Sequence, residues 1–320
     1  MAGGGRDSGM IREGMNARPS RAILIVAAAL TCSAWPAAFV LWFRLGERAF
    51  AVSAFLLGLS LGPLLAAWAF APRKSRQAFR KLVLVTGGLS ILAFPLLGAV
   101  NLDLEGFFML LLLGSGGVAA GHTMVTVIAG PLIFGRVLCG WGCWRAMILE
   151  LLPTGRSPGR RDRAWRLLPY GGLALSIGAA AMAVFALGEQ PGGRPGKMHG
   201  ASLTGCVAAI AVYYAASIGL AFALRDRRAF CKYLCPSGAI LRLTSRPSIF
   251  KMTPAAGRCD GCGACTRVCP MDIDVAGFAA RGRRIASGEC ILCQRCAEVC
   301  PSGALRLAAG LDCRGADDFR

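Results

Sequence analysis

Eight cysteines toward the end of the chain fall into two runs of identical spacing. Cys259, Cys262, Cys265 and Cys269 precede Pro270, and Cys290, Cys293, Cys296 and Cys300 precede Pro301. Each run reads C-x2-C-x2-C-x3-C-P, and together they meet the ligand demand of two [4Fe–4S] cubanes. A zinc site closes on two CxxC pairs and has no use for a further Cys three residues on. The chemistry this pattern predicts is the transfer of single electrons. In proteins with this doubled motif the fourth Cys of each run ligates the other cluster. The expected ligand sets are therefore Cys259, Cys262, Cys265 and Cys300 for one cluster, and Cys290, Cys293, Cys296 and Cys269 for the second. Gly261 and Gly263 allow tight turns there, and Ile273, Val275, Ile291 and Leu292 are the expected apolar shell.

Two shorter motifs lie upstream: Arg136-Val-Leu-Cys139-Gly-Trp-Gly-Cys143 and Arg228-Ala-Phe-Cys231-Lys-Tyr-Leu-Cys235-Pro236. Each is CxxxC, each follows a long apolar run, and each is wrapped in basic residues, so the arrangement is an internal repeat. On a helix, positions i and i+4 share a face, and neighbouring cations favour thiolates. Cys139, Cys143, Cys231 and Cys235 could jointly bind a metal or a third cluster, cycle between dithiol and disulfide, or be inert. Matched positions make inertness the weakest of the three.

The apolar runs set the elements that must carry these groups. Of 320 residues 55% are hydrophobic, with mean hydropathy +0.54, beyond the range of ordinary soluble domains. Six runs approach or exceed the roughly 20 residues that span a bilayer: 22–43, 49–71, 82–100, 107–134, 167–187 and 202–224. The fourth is interrupted by Gly114–Gly117 and by Gly130-Pro131, which predicts a kinked or broken helix. The first could instead be a cleaved signal peptide. The acidic stretch Asp103–Glu105 reads as an exterior turn.

A net charge of +19 would suggest nucleic acid in a soluble protein. Here it follows the positive-inside rule. Of the 36 Lys and Arg, an N-in, C-in arrangement leaves only Arg44, Arg48, Arg194 and Lys197 outside. The expected protein is thus α-helical and multi-pass in a prokaryotic cytoplasmic (inner) membrane, with a cytoplasmic α+β iron–sulfur module and no nucleic-acid partner. The expected domains are a tail (1–21), a membrane domain (22–254), a 2[4Fe–4S] domain (255–305) and a second tail (306–320). Fifteen cysteines dominated by ligand motifs fit a reducing compartment.

GRVLCGWGCW and RAFCKYLCPSGAI, followed by two cluster motifs, resemble the NapH/NosR/CcoG-type membrane polyferredoxins, with the NapH-like branch nearest. The resemblance covers about Leu132–Ala304 and departs from the family pattern at Trp144, where Pro is usual. It implies an electron-transfer or accessory protein serving a quinol-linked chain, a periplasmic reductase or metalloenzyme assembly.

Of the two histidines, His122 lies in the fourth run and His199 in a loop, so an intramembrane bis-His haem is not expected. No flavin is expected either. His122 is a candidate quinone or proton site; Cys206 and Cys313 read as incidental. The leading function is an electron carrier or redox subunit, rather than a stand-alone enzyme, linking a donor to a reductase, dehydrogenase or oxidase partner. The alternatives are an assembly factor that reduces a metal or thiol, and a membrane anchor that docks a soluble dehydrogenase.

Overall fold

The computed structural model describes residues 21–44, 48–97, 103–114, 118–154, 159, 165, 167–186, 200–255 and 257–310. The N-terminal tail before Arg21, His199, Cys313 and most of the loop at 188–201 lie outside them.

Among the described residues, four helices are long and apolar enough to cross a membrane: Arg48–Phe70, Arg73–Leu96, Leu168–Phe185 and Leu203–Ala223. In chain order the helices are α1 (Arg21–Phe43), α2 (Arg48–Phe70), α3 (Arg73–Leu96), α4 (Leu104–Leu112) and α5 (residues 118–134). The short α6 (Val137–Trp141) and α7 (Trp144–Leu151) follow, then α8 (Leu168–Phe185), α9 (Gly200–Ala223), α10 (Ala229–Tyr233) and α11 (Pro236–Thr244). Pro63 inside α2 removes a backbone donor, and the turn around it widens to π geometry over Ser60–Leu64.

The fourth apolar run differs from a single kinked span. It is split into α4 and α5, with Gly114 at φ +63° ending the first piece. Asp103 and Glu105 do not form an exterior turn either. Ser176, halfway along α8, donates to Glu105 at 2.5 Å, and Tyr213, near the middle of α9, donates to the same carboxylate. Helix α4 therefore starts against α8 and α9, a half-helix with Asp103 at its N-cap and Glu105 in its first turn. Buried carboxylates hold this position because they find donors there, whereas lipid would offer none.

The second repeat unit of each half also folds inward. Helix α7 lies against α3 with Leu84, Leu92, Trp144, Ala146 and Met147 forming one buried cluster with Cys206 and Ile210 of α9. Gly87 and Gly88 permit this approach: a Cβ on Gly88 would meet Trp144 Cα at 3.1 Å.

The C-terminal module packs where α3 begins and α5 ends, against α10 and the second half of α11. Its β1 (Phe250–Pro254) and β2 (Leu305–Ala309) pair antiparallel, Met252 opposite Leu307. Between them lie three short helices, α12 (Ala264–Arg267), α13 (Val275–Ala280) and α14 (Arg295–Val299). Met252, Met271, Ile273, Val275, Ile285, Ile291 and Leu292 form the buried core, so all four of the expected shell residues are in place.

Candidate iron–sulfur sites and the four-thiol site

The eight module cysteines line two separate cavities. Cys259, Cys262, Cys265 and Cys300 share one with Ala276 and Leu305; Cys269, Cys290, Cys293 and Cys296 share the other with Ile273 and Ile291. Each cavity thus takes three cysteines from one run and the fourth from the other. Gly261 and Gly263 adopt φ of +71° and +70°, a conformation costly for any residue with a Cβ. In the second run Leu292 (+50°) and Gln294 (+59°) hold the equivalent left-handed positions without that relief.

The two cavities differ in exposure. Cys262 is exposed and its loop faces outward, whereas Cys293 is buried against the membrane bundle. We call the first the outer site and the second the inner site. Burial pushes Cys269 to about 11 and Cys290 to about 12. Thiols this hard to ionise in water-poor surroundings become thiolates when a metal core replaces the proton. Among the described residues, no three His, Cys, Asp or Glu side chains converge as ligands of a single ion would. Four cysteines around a wider cavity suit a multi-iron core instead.

The CxxxC motifs meet at the base of the module. Cys143 lies in electrostatic contact with Cys139, Cys231 and Cys235, so the four thiols share one location, with Cys231 buried and the others half-buried. The expectation that adjacent cations would lower the thiol pKa fails for Cys143, Cys231 and Cys235. Burial dominates and drives Cys143 up to about 12 and Cys235 to about 11, with Arg145 opposing only in part. A protonated thiol is a poor nucleophile and becomes a metal ligand only when the metal displaces its proton.

The basic collars are spent on ion pairs. Arg136 Nη1 donates to Glu289 Oε2 at 2.7 Å, beside Cys290 of the inner site. Lys232, between Cys231 and Cys235 in sequence, bridges Asp226 at 2.7 Å and Asp272 of the module at 2.5 Å. Each CxxxC motif is thus clasped to the module by one acid. Glu150 of α7 accepts from Arg80 and Arg228, both at 2.7 Å, and from Arg295 of α14. Burial pushes its carboxyl upward, but Arg228, Arg80 and Arg295 outweigh that and hold it well below the carboxylate range.

The closest approach is backbone to backbone. A Cβ on Gly140 would overlap the Ile291 carbonyl oxygen, so the first CxxxC loop lies directly on the inner-site loop. Trp141 Nε1 donates to Leu292 O at 3.0 Å, Arg80 Nη1 to Gly140 O at 2.8 Å and Arg228 Nη1 to Cys139 O at 3.0 Å. Val137 and Cys139 pack on the module core.

His122 is half-buried in the first part of α5, its Nδ1 enclosed without a hydrogen-bond partner. No hydrogen bond links it to the thiols or to Glu105 among the described residues. Sequence reasoning passed over Glu150, Glu289 and Asp272. Glu150 carried a usable signal, because it is an isolated acid within an apolar segment.

Comparison with known proteins agrees with this geometry. A 4Fe-4S dicluster domain model matches residues 251–301, and a 4Fe-4S binding domain model matches 117–157 and 208–253, the segments that hold the two CxxxC motifs. An uncharacterized protein of Methanocaldococcus jannaschii is 28% identical over 54% of this chain and 67% of its own. The methylamine utilization ferredoxin-type protein MauN of Methylorubrum extorquens is 28% identical over 54% of this chain and 62% of its own. YccM of Escherichia coli, provisionally named an electron transport protein, is 45% identical over 15% of this chain and 14% of its own. The matches thus span less than two thirds of MauN and of YccM. No solved structure matches. The chain carries a 4Fe-4S dicluster domain behind a 4Fe-4S binding domain and is similar to ferredoxin-type electron transport proteins, consistent with the membrane polyferredoxin family that its motifs resemble.

Proposed function

We propose that this protein is a membrane-bound carrier that moves single electrons inward along three stations: the outer site, the inner site and the four-thiol site. The observation that carries the reading is the contact between Gly140 and Ile291, which stacks the first CxxxC loop on the inner-site loop. Cys259, Cys262, Cys265 and Cys300 would hold one [4Fe–4S] cluster, and Cys269, Cys290, Cys293 and Cys296 the second. Cys139, Cys143, Cys231 and Cys235 would hold a third iron–sulfur centre, which supplies a one-electron acceptor inside the bilayer boundary. The protein's own part is to exclude water and to fix charge. Arg136, Arg145 and Arg228 surround the four thiols and offset the negative charge that four thiolates bring.

A soluble or quinol-linked donor would meet the exposed loop at Cys262, and the acceptor would lie within or across a prokaryotic inner membrane, with the module on the cytoplasmic side. The names of MauN and YccM, a ferredoxin-type and an electron transport protein, support a carrier over a stand-alone enzyme.

The test is anaerobic purification with iron and sulfide analysis and EPR. Two cubanes require about eight irons per chain and a third brings the count to about twelve. A Cys143→Ser, Cys235→Ser double variant should fall from about twelve to about eight with the module signals intact. Eight irons in the unaltered protein would remove the third station.

A further inference from the structure

The charges of the module are sorted by face. Three of its acids turn toward the bundle: Glu289 meets Arg136 and Arg242, Asp272 meets Lys232, and Glu298 accepts from Gln77 at 2.7 Å. Two of its arginines are likewise occupied, Arg295 by Glu150 and Arg284 by the carbonyls of Ile249 and Ala308. The surface that remains is uneven. Arg258, Arg267, Arg281, Arg283 and Arg306 are exposed, against Asp260 and Asp274 alone among the module's acids. Both of those acids serve the chain locally, since Asp260 Oδ1 accepts from Cys262 N at 3.4 Å and Asp274 Oδ1 from Gly277 N at 2.9 Å. Among the described residues, Arg258, Arg267 and Arg281 enter no ion pair with an acid.

These three arginines rim the outer site, around Cys262, the one exposed cysteine of the module. Arg267, at the end of α12, donates through Nη1 to the Cys262 carbonyl at 2.9 Å. Arg258 adjoins Cys259 in the chain. Arg281 caps α13, whose Ala276 and Ala279 line the outer cavity, and its guanidinium lies 5.6 Å from the Phe278 ring centroid. From the bundle, Arg73 at the start of α3 reaches the turn after Cys300, where a Cβ on Gly303 would meet its Nη2 at 3.9 Å. Val299, 40% exposed, and Pro301 leave a small apolar surface on either side of Cys300. Membrane orientation does not call for the three module cations. It is set by Lys and Arg within about 15–20 residues of a span, and all three lie farther than that beyond the end of α9 at Ala223.

We infer that this basic rim is the docking surface for an acidic, water-soluble one-electron carrier protein that feeds the outer site. The inference rests on the reading of that site as a [4Fe–4S] entry station. The carrier is oxidised by one electron and the outer cluster reduced by one, with no proton moved and no bond made or broken. Opposite potentials steer such an encounter, and the small contact around Val299 and Pro301 lets the partners part again, as in weak redox complexes. Anionic lipid would satisfy the same cations, but it would cover Cys262 and close the exposed approach to the cluster.

The test is stopped-flow reduction of the full chain, in nanodiscs of phosphatidylcholine, by a reduced acidic [2Fe–2S] ferredoxin. Photoreduced deazariboflavin, a neutral reductant, is the reference. The ferredoxin rate should fall at least about tenfold as salt rises from about 0.05 to about 0.5 M, because screening removes the steering. At low salt the Arg258→Glu, Arg281→Glu double variant, which leaves the Arg267–Cys262 bond in place, should lose a similar factor. Its iron content and deazariboflavin rate should stay unchanged, and Lys at the same two positions should restore the ferredoxin rate. A variant that accepts electrons from ferredoxin as fast as the unaltered protein overturns the docking surface, and so does a rate in the unaltered protein that ignores salt. A defect seen only in nanodiscs containing phosphatidylglycerol assigns the arginines to the bilayer and overturns it equally. An unaltered protein without iron at the outer site overturns the entry station, and this inference with it.

Discussion

Glu150 is the residue on which the charge balance at the junction turns. Its two oxygens answer two guanidiniums of the bundle and one of the module, all in a region with little water. Removing one member of such a buried network costs about 3–5 kcal/mol, because the charges left behind stay unpaired. Glu150→Gln is expected to lower the unfolding midpoint and to expose the 255–258 link to protease, which a limited-proteolysis series would reveal. The pH sign follows from the direction of its shift. A carboxyl held below its unfolded value stabilises the folded state above the unfolded pKa of about 4.3, and loses that contribution as pH falls through the lowered folded value. Module docking should therefore persist at neutral pH and weaken only in acid, as read by the same proteolysis. The thiols behave in the opposite sense. Metal-free protein should resist iodoacetamide at Cys143 and Cys235 near neutrality and label only as pH approaches about 12 and 11, which mass spectrometry of the labelled peptides would check.

At the scale of elements, the grouping of the cysteines was legible and its supports were not. Spacing alone pointed to two exchanged sets among the eight module cysteines, because each C-x2-C-x2-C-x3-C-P run turns through left-handed positions, held by Gly261 and Gly263 in the first and by Leu292 and Gln294 in the second. The meeting of the two CxxxC motifs could be suspected from their symmetry as a repeat. Half-helix α4 could not be read. Its apolar run continues across Gly114, and its acids look like a helix terminus in water until Ser176, Tyr213 and Arg145 are seen around them. Hydropathy registers composition along the chain, whereas a half-helix is defined by what packs beside it. The same distinction explains the thiols: cations next to Cys231 in sequence suggested thiolates, but Asp226, Asp272 and Glu150 take those cations, and burial decides the rest. The loop contact at Gly140 gives the element-scale prediction. Gly140→Val should force the CxxxC loop off Ile291, leaving iron in the module unchanged while slowing electron arrival at the four-thiol site at least tenfold, measured by freeze-quench EPR after a dithionite pulse.

For the whole molecule, the module and the bundle form one unit rather than a tethered pair. A ferredoxin on a flexible leash would show few contacts at its base; here Arg136–Glu289, Lys232–Asp272 and Arg295–Glu150 all cross the junction. A module of this size has little core of its own and draws much of its folding free energy from bound metal. Cys293→Ser, at the inner site, is expected to lower iron content and also to loosen the junction, since Gln77 of α3 donates to the Cys293 carbonyl at 3.3 Å. Cys262→Ser, at the outer site, should lower iron by a similar amount and leave the junction closed. Iron analysis alongside cross-linking between α3 and α14 would separate the two outcomes, and equal loosening by both variants would count against an inward order of stations.

The exposure of Cys262 has a consequence for survival in air. A cubane held there, as proposed, would meet oxidants first, and its loss would break the circuit before damage travels inward. On the proposed reading the outer site would then act as a fuse, opening the line where a cluster can be replaced without dismantling the bundle.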